Sequence, residues 1–399
     1  MKPLSHFLML DLTHMLSGPY GTMLLTDMGM RTIKVEPPGR GEGTRKLLSA
    51  SAEYARDGMG AYFMTLNRSK QSVCIDLKQT EGRDLFYELV ERADVVFDNF
   101  SPGVTERLGI DHESLARINP RIVTCAVTGF GQTGPNPNRP AFDMVAQGMG
   151  GGMSITGMPG GEPTRAGIPI GDLGGGIFGA LGTLAALHER EKTGRGRHVD
   201  ISMLDCQISL LNYMATMHFL SGKSPGPEGN GHFVHVPYNT FRTKTRHIII
   251  AVIFDSFWPK LLEVLGNPAL DRAEFLEQPG RLAERAFIEA EVEKVLVTRD
   301  AEYWLEALSG RRIPCAPVND FEHALSDPQV LARNMVVDVP MPGGRPVAMP
   351  GNPVKLGAGS DEGFGAPPQR GEHSEEVFTT LLGMGRDRLA SLRERGVVE

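Results

Sequence analysis

The stretch FLMLDLTHMLSGPYGTMLLTDMGMRTIKVE, residues 7–36, decides the fold. Residues 7–12 form an apolar run with one carboxylate, Asp11, and read as a strand. Residues 18–28 read as a helix, with Pro19 suited to its first turn. Residues 31–35 read as a second strand that stops at Glu36-Pro37-Pro38. The alternation continues outward: strands at 72–76, 94–97 and 122–128, an amphipathic helix at 80–92 with Leu85, Phe86, Leu89 and Val90 on one face, and a short helix at 102–108. Repeated strand-helix-strand units predict a parallel sheet covered on both faces. The fold class is therefore α/β, a Rossmann-like doubly wound domain.

The texture changes after residue 200. Residues 201–220 read as one long helix, and 221–231 are rich in Pro and Gly. Residues 232–318 read as a smaller α+β unit, with a strand at 247–253 and helical patterns around Trp258, Ala286 and Trp304. The expected organisation is a large domain over 1–200, a linker over 201–231, the small domain over 232–318, a return linker over 319–350, and a C-terminal segment over 351–399 that packs back on the large domain and ends in a helix from about Arg386.

Bulk properties narrow the function. The 399 residues are 41% hydrophobic and 22% charged, a composition able to bury a large core. The net charge of -7, with no basic block, argues against a nucleic-acid partner. Residues 173–187, an uncharged and mostly apolar stretch, are too short and glycine-rich to span a bilayer and read as a buried helix, so no membrane partner is expected. The N-terminus lacks a signal-peptide pattern. Cys74, Cys125, Cys206 and Cys315 are far apart, and read as free thiols of a cytoplasmic protein.

One aspartate sits in a setting that a core does not require. Residues 167–170 read as a strand, Gly171 ends it, and Asp172 precedes Gly174, Gly175 and Gly176. That places a carboxylate at a strand-to-helix turn where glycines let a bulky ligand approach. An aspartate ahead of a helix is equally an ordinary N-cap.

Other chemistries lack their signatures. The turn after the first strand, Thr13 to Gly21, has no GxGxxG, which disfavours an NAD-dependent oxidoreductase. There is no GxSxG and no Walker loop. No HxxxH or Cys cluster exists, so no metal is expected, and His232 and His235 read as turn or surface histidines. The loop at 39–45, with Arg40 and Arg45, suits either phosphate contact or solvation.

Several ordered motifs together resemble the class III CoA-transferases, the CaiB/BaiF family, nearly end to end. They are Leu10-Asp11-Leu12-Thr13 with Ser17-Gly18-Pro19; Lys34-Val35-Glu36-Pro37-Pro38-Gly39 with Gly43-Thr44-Arg45; Asn67-Arg68-Ser69-Lys70-Gln71-Ser72; and Asp98-Asn99-Phe100-Ser101-Pro102-Gly103. Residues 129–135, Phe142-Asp143, Gly171-Asp172, residues 192–196 and residues 237–241 follow in order.

The resemblance implies that Asp172 is a nucleophile. It would attack an acyl-CoA, form a mixed anhydride, take up the CoA thiolate as an aspartyl-CoA thioester, and pass CoA to an acceptor acid. Gly174 and Gly175 would admit the thioester carbonyl to backbone N–H donors. His14, Met15, Leu16, Ile75, Lys78, Asn99, Phe100, Arg107 and Leu108 match cofactor-contacting positions, with surface charge as the other reading of Lys78 and Arg107. The expected substrates are acyl-CoA and a small carboxylic acid, with succinyl-CoA and a dicarboxylic acid as the favoured pair. Coenzyme A thioesters enter as substrates, with no permanently bound cofactor.

The family's formyl-CoA:oxalate member carries Gln at Leu16, Arg at Pro37 and Lys at Pro140, and a four-glycine loop with no evident match here; these departures argue against oxalate. α-Methylacyl-CoA racemases show a His-Asp step where this chain has Phe142-Asp143, so the second base for proton shuttling is missing. A non-catalytic acyl-CoA binder is disfavoured because Asp172 and its glycines are intact. Relatives form interlocked homodimers, and the same is expected here. Arg45 or Arg139, each in a loop near an active-site motif, is the expected partner of a distal carboxylate, with CoA phosphates as the alternative. Arg165 reads as structural.

Overall fold

The computed structural model describes residues 2–357 and 363–399. Two units are found: one of Met1–Gly152, Arg165–Gly222 and Pro328–Glu399, the other of Met153–Thr164 and Lys223–Asp327.

The large unit is built on β1 (Leu8–Asp11), α1 (Ser17–Asp27), β2 (Arg31–Glu36), α2 (Ala61–Asn67), β3 (Gln71–Cys74), α3 (Thr80–Val90), β4 (Val95–Asp98), α4 (Val104–Leu108), β5 (Val123–Thr128), α5 (Asp143–Met149), α6 (Ile170–Thr193) and β6 (His198–Ser202). All six strands pair in parallel in the order β3-β2-β1-β4-β5-β6. That is the doubly wound order of dinucleotide-binding folds, and the order reverses between β1 and β4. Ligands bind at such a reversal, beyond the carboxyl ends of the strands.

Both sheet faces are covered, which is why the strands read as continuous apolar runs. Leu8, Leu10, Ile33, Val35 and Val73 pack under α3 and the C-terminal residues Val377, Phe378, Leu389 and Leu392. Met9, Val95, Phe97, Cys125 and Val127 pack against α1 and α6. Buried ion pairs lie at the end of β1 and at the end of α1. Asp11 Oδ2 meets Lys70 Nζ at 2.8 Å, and Arg68 meets Asp27 at 2.6 Å. The residues 67–72 motif thus frames the floor of the sheet.

Two sequence expectations need correction. Residues 167–170 are not a strand: Pro169 is the N-cap of α6, which begins at Ile170. A proline has no N–H for a central ladder, but its restricted φ suits a helix entrance. Residues 201–220 are not one helix. Ile201 and Ser202 end β6, and the helices α7 (Met203–Leu211) and α8 (Tyr213–Ser221) are split at Asn212, where φ is +50°. The run combined an apolar strand end, the capping Ser202 and two helices in one hydrophobic signal.

Helix α6 is 24 residues long and apolar enough to cross a membrane by length and composition, and half of its most apolar window is buried. Its glycines explain its place in the core. A Cβ on Gly176 would lie 2.5 Å from the Ser17 carbonyl oxygen, and one on Gly21 would lie 2.7 Å from the Gly176 oxygen. Helices α1 and α6 cross backbone to backbone there. Gly176→Ala is expected to destabilise by roughly 1–3 kcal/mol through overpacking. Gly174→Ala meets nothing nearer than 3.6 Å and should be neutral or stabilise by up to about 1 kcal/mol. Urea midpoints of the two variants check the contrast.

The smaller unit holds a three-stranded antiparallel sheet of β7 (Tyr238–Arg242), β8 (His247–Ala251) and β9 (Cys315–Pro317), with β8 central. Its core is Trp258, Leu261, Phe275, Ile288, Val292 and Trp304.

Candidate active site

At the strand-order reversal, the turns that leave β1 and β4 are stitched together. His14 N donates to Asn99 Oδ1 at 2.9 Å, and Asn99 Nδ2 donates to the His14 carbonyl at 2.7 Å. From below, buried Lys34 Nζ donates to the Thr13 carbonyl at 2.7 Å. Asp98 Oδ1 accepts from Phe100 N at 3.1 Å and fixes the second turn. His14 and Phe100 present their rings 5.5 Å apart. Burial, then Lys34, holds the His14 imidazole below its ordinary range, so an uncharged ring faces the ligand space.

Two cavities open on either side of this ring pair and share His14 and Phe100. The larger, about 490 Å3, is lined by apolar Leu12, Val35, Ile75, Leu77 and Leu108 and edged by Arg40, Lys46 and Lys78. No salt bridge engages these three cations among the described residues. Apolar walls with an edge of unpaired cations suit a flat aromatic base carrying phosphates. The smaller cavity, about 260 Å3, contains Met15, Ser17, Tyr62, Asn99, Arg139, Phe142 and Asp172.

Asp172 reaches this cavity from the first turn of α6. It is not the cap of that helix. Pro169 offers no side-chain cap, and Asp143, the first residue of α5, takes over: its Oδ1 accepts from Gly171 N at 2.8 Å and from Asp172 N at 3.3 Å. Gln147 Nε2 holds the other Asp143 oxygen at 2.8 Å. Gln207 Nε2 donates to the Ile170 carbonyl at 3.2 Å. The turn is therefore fixed from outside, and among the described residues no hydrogen bond reaches the Asp172 carboxylate. Burial, then the Asp143 charge, pushes its pKa up to about 6. A carboxylate of this kind is ionised at neutral pH and thinly solvated, the state in which it attacks best.

The sequence-derived candidates divide by place. His14, Ile75, Lys78, Phe100 and Leu108 line the larger cavity; His14, Met15, Asn99, Phe100, Arg139, Phe142 and Asp172 line the smaller. Leu16 and Arg107 line neither: Leu16 is the N-cap of α1, and Arg107 sits in the last turn of α4. Asp143 lies behind Gly171 as the cap.

The glycines have another role than the one expected. A Cβ on Gly175 would lie 2.5 Å from Ser17 Oγ and 2.9 Å from Val127, and helix geometry turns the Gly174 and Gly175 N–H groups to the carbonyls of Ile170 and Gly171. They pack α6 closely and leave no N–H for an oxyanion. Arg45 also departs from expectation. Its Nε and Nη2 bind Glu36 at 2.6 Å each, Nη1 donates to the Pro368 carbonyl at 3.0 Å, and its guanidinium lies over Phe63. Arg45 is engaged inward and has no free face for a carboxylate. Arg139 is exposed over the Phe130 ring. Arg165 turns onto the Ala166 and Gly167 carbonyls.

Sequence reasoning missed Lys46, Ser17 and Tyr62. Lys46 adjoins Arg45 in the turn Gly43–Lys46, which Glu42 caps; neighbouring side chains there point apart, one inward and one to the cavity. Asp172 and Asp143 sit close enough to help push the Tyr62 hydroxyl up to about 12, after burial. Among the cysteines Cys74, Cys125 and Cys206 are buried free thiols, and Cys315 is a half-buried one. His232 Nδ1 accepts from Val234 N and His235 N, which makes it a turn acceptor.

Comparison with known proteins adds to this geometry. The family model described as CoA-transferase family III matches residues 4–374. The chain is 41% identical over 369 residues to the acetyl-CoA:oxalate CoA-transferase of Acetobacter aceti, covering 92% of each chain. It is 37% identical to the succinyl-CoA:mesaconate CoA-transferase of Haloarcula hispanica, covering 98% of this chain and 100% of that one. A crystal structure of a CaiB/BaiF family protein from Brucella suis superimposes with a TM-score of 0.84 at 34% identity, covering 95% of this chain and 99% of that one.

Proposed function

We infer that this chain, which belongs to CoA-transferase family III, moves CoA from an acyl-CoA to a small dicarboxylic acid by covalent catalysis at Asp172. The observation that carries the reading is the unbonded Asp172 carboxylate in a cavity joined, through His14 and Phe100, to a larger one edged by Arg40, Lys46 and Lys78. The nucleotide and its phosphates occupy the larger cavity. The pantetheine arm passes the His14 and Phe100 rings, and the thioester meets Asp172. An Asp172 oxygen attacks the acyl carbon and CoA leaves as thiolate, so the acyl group becomes a mixed anhydride. The thiolate then attacks the Asp172 carbonyl carbon and releases the free acid. The acceptor acid reverses both steps with its own carboxylate. The thioester's free energy stays in covalent bonds throughout. No resident cofactor takes part, since CoA is the group transferred.

Two similar enzymes are named for dicarboxylic acids, oxalate and mesaconate. Oxalate, disfavoured by Leu16, Pro37 and Pro140, therefore returns as a candidate beside succinate-like acids, since the 41% relative is named for it. Arg139 supports the dicarboxylate reading. It lines the Asp172 cavity and no acidic partner engages it among the described residues, so its guanidinium suits a distal carboxylate.

The test is a panel of mono- and dicarboxylic acids, oxalate included, with succinyl-CoA and acetyl-CoA, read as CoA esters by mass. Arg139→Gln is expected to raise KM for dicarboxylic acids roughly 10- to 100-fold, the worth of a charge-assisted pair, and to spare monocarboxylic acids. A uniform rise for every acyl-CoA assigns Arg139 to phosphate instead. Wild-type enzyme that transfers CoA to no acid on the panel ends the reading.

The same proposal includes pairing of two copies and a cytoplasmic setting. Pairing is supported by the adjoining Phe219 and Leu220 on α8, 81% and 84% exposed, since neighbouring exposed apolar side chains suit an interface between copies. The free thiols suit a reducing compartment.

A further inference from the structure

Arg139 is exposed, yet its loop has a fixed seat. Arg139 N donates to the Asn136 carbonyl at 3.1 Å, which closes a turn, and the guanidinium lies 5.5 Å from the centre of the Phe130 ring. Two residues on, Ala141 rests against Gly129. A Cβ on Gly129 would collide with the Ala141 Cβ. Gly129 and Phe130 directly follow β5, and this step is tied down. The Gly129 carbonyl accepts from Leu204 N of α7 at 3.1 Å, and Thr128 Oγ1 accepts from Gly131 N at 2.9 Å. The φ of Gly129 lies outside the left-handed region, so the backbone there does not require a glycine. What the position requires is room for the loop. Gly129, Arg139 and Ala141 all line the Asp172 cavity. The contact therefore stands at the wall of the site, and it is separate from the bonds of Asp143 that hold Asp172 in place.

We propose that Gly129 is a positioning residue that sets acceptor specificity: its bare Cα lets Ala141 seat against the end of β5, and this seat, with the Phe130 ring, places the Arg139 guanidinium for a distal carboxylate. This rests on the CoA-transfer reading above and on the Arg139 role within it. The physical reason is order. An exposed arginine has many rotamers, and pairing with a carboxylate costs the freedom among them. A loop fixed at Ala141, and a guanidinium already resting on a ring, reduce that cost. A side chain at position 129 would lift the loop at Ala141, because the tied end of β5 cannot yield, and would carry Arg139 away from the acid. The reacting carboxylate and the thioester meet Asp172 instead, so kcat and the KM for acyl-CoA do not depend on this seat.

The experiment measures steady-state KM for oxalate, succinate and mesaconate, and for acetyl-CoA and succinyl-CoA. It compares wild type, Gly129→Ala, Ala141→Val, and Gly129→Ala combined with Ala141→Gly. Gly129→Ala is expected to raise the KM for the dicarboxylic acids that wild type uses by roughly tenfold, the lower range for a charge-assisted bond. The KM for acyl-CoA and kcat should stay within about threefold of wild type. Ala141→Val presses on the same contact from the loop side and should act alike, and it decides the matter if Gly129→Ala does not fold. Ala141→Gly frees the space that the new side chain takes, so the combined variant should return to within about threefold of wild type. A KM for the dicarboxylic acids within about threefold of wild type in Gly129→Ala overturns the proposal. So do a parallel rise for acyl-CoA, a parallel fall in kcat, or a combined variant that stays as weak as Gly129→Ala. Failure of both Gly129→Ala and Ala141→Val to fold makes the contact structural and overturns it as well. Wild type is measured first: transfer to none of the three acids defeats the dicarboxylate reading itself, whereas equal KM values in wild type and Gly129→Ala remove only the Gly129 role.

Discussion

Asp172→Asn and Asp172→Ala are expected to fold and to lose CoA transfer by about four orders of magnitude or more, the range seen when a covalent nucleophile is removed. The amide keeps the shape of the carboxylate but cannot form an anhydride or an aspartyl-CoA thioester. The turn that carries it does not depend on the Asp172 carboxylate, because Asp143, Gln147 and Gln207 hold it through the backbone at Gly171, Asp172, Ala166 and Ile170. Hydroxylamine added with acyl-CoA should modify Asp172 in wild type alone, detectable in the peptide spanning it. Transfer near the wild-type rate by either variant would exclude the covalent route.

A change in stability should accompany the loss of activity, with a definite sign. Burial and the Asp143 charge raise the Asp172 carboxyl to about 6 in the folded protein. Between the ordinary carboxylate range and pH 6, the folded state therefore holds a proton that the unfolded state releases. Stability falls as pH rises through that window, and the full penalty is present above it. Asp172→Asn removes the penalty. It should be more stable than wild type at pH 8, by on the order of 1 kcal/mol once solvent screening is allowed for, and no more stable at pH 3.5. Urea melts at the two pH values measure the difference.

The second large effect is on pH dependence. With the nucleophile raised to about 6, kcat/KM for acyl-CoA should be flat above pH 7 and fall about tenfold per unit well below pH 6. Asp143→Asn keeps an oxygen to accept from Gly171 N but deletes the charge that adds to burial in raising Asp172. The acid limb should move to lower pH, and only partway toward the ordinary carboxylate value, because burial is the larger cause. Asp143→Ala loses the cap as well and should destabilise by about 1 kcal/mol. An acid limb that stays in place in Asp143→Asn would show that the two carboxylates are not coupled.

Residues 7–36 could be read correctly from sequence because a strand, a helix and a second strand each carry their own hydrophobic period, and a helical crossover of that length permits parallel pairing. The family motifs likewise singled out Asp172, Asn99, Phe100 and the first turn. Only the tertiary structure decided how those residues are used. Asp172 was read at the end of a strand because an apolar run precedes it. Packing instead makes Pro169 a helix entrance and gives the cap to Asp143, 29 residues earlier. Gly174 to Gly176 signal close approach in either setting. That the approaching body is α1 follows from contacts with Ser17 and Gly21, more than 150 residues away in sequence. Arg40, Arg45 and Lys46 share one loop and one charge, yet Glu36 draws Arg45 inward while Arg40 and Lys46 face the cavity. Ser17 belongs to the Ser17-Gly18-Pro19 motif at a helix start; that its hydroxyl is buried without a partner among the described residues is visible only in the fold. Local periodicity and capping rules act over a few residues and are written in the sequence. Which face of a helix, or which of two neighbouring cations, meets the ligand depends on elements that fold into contact from far along the chain.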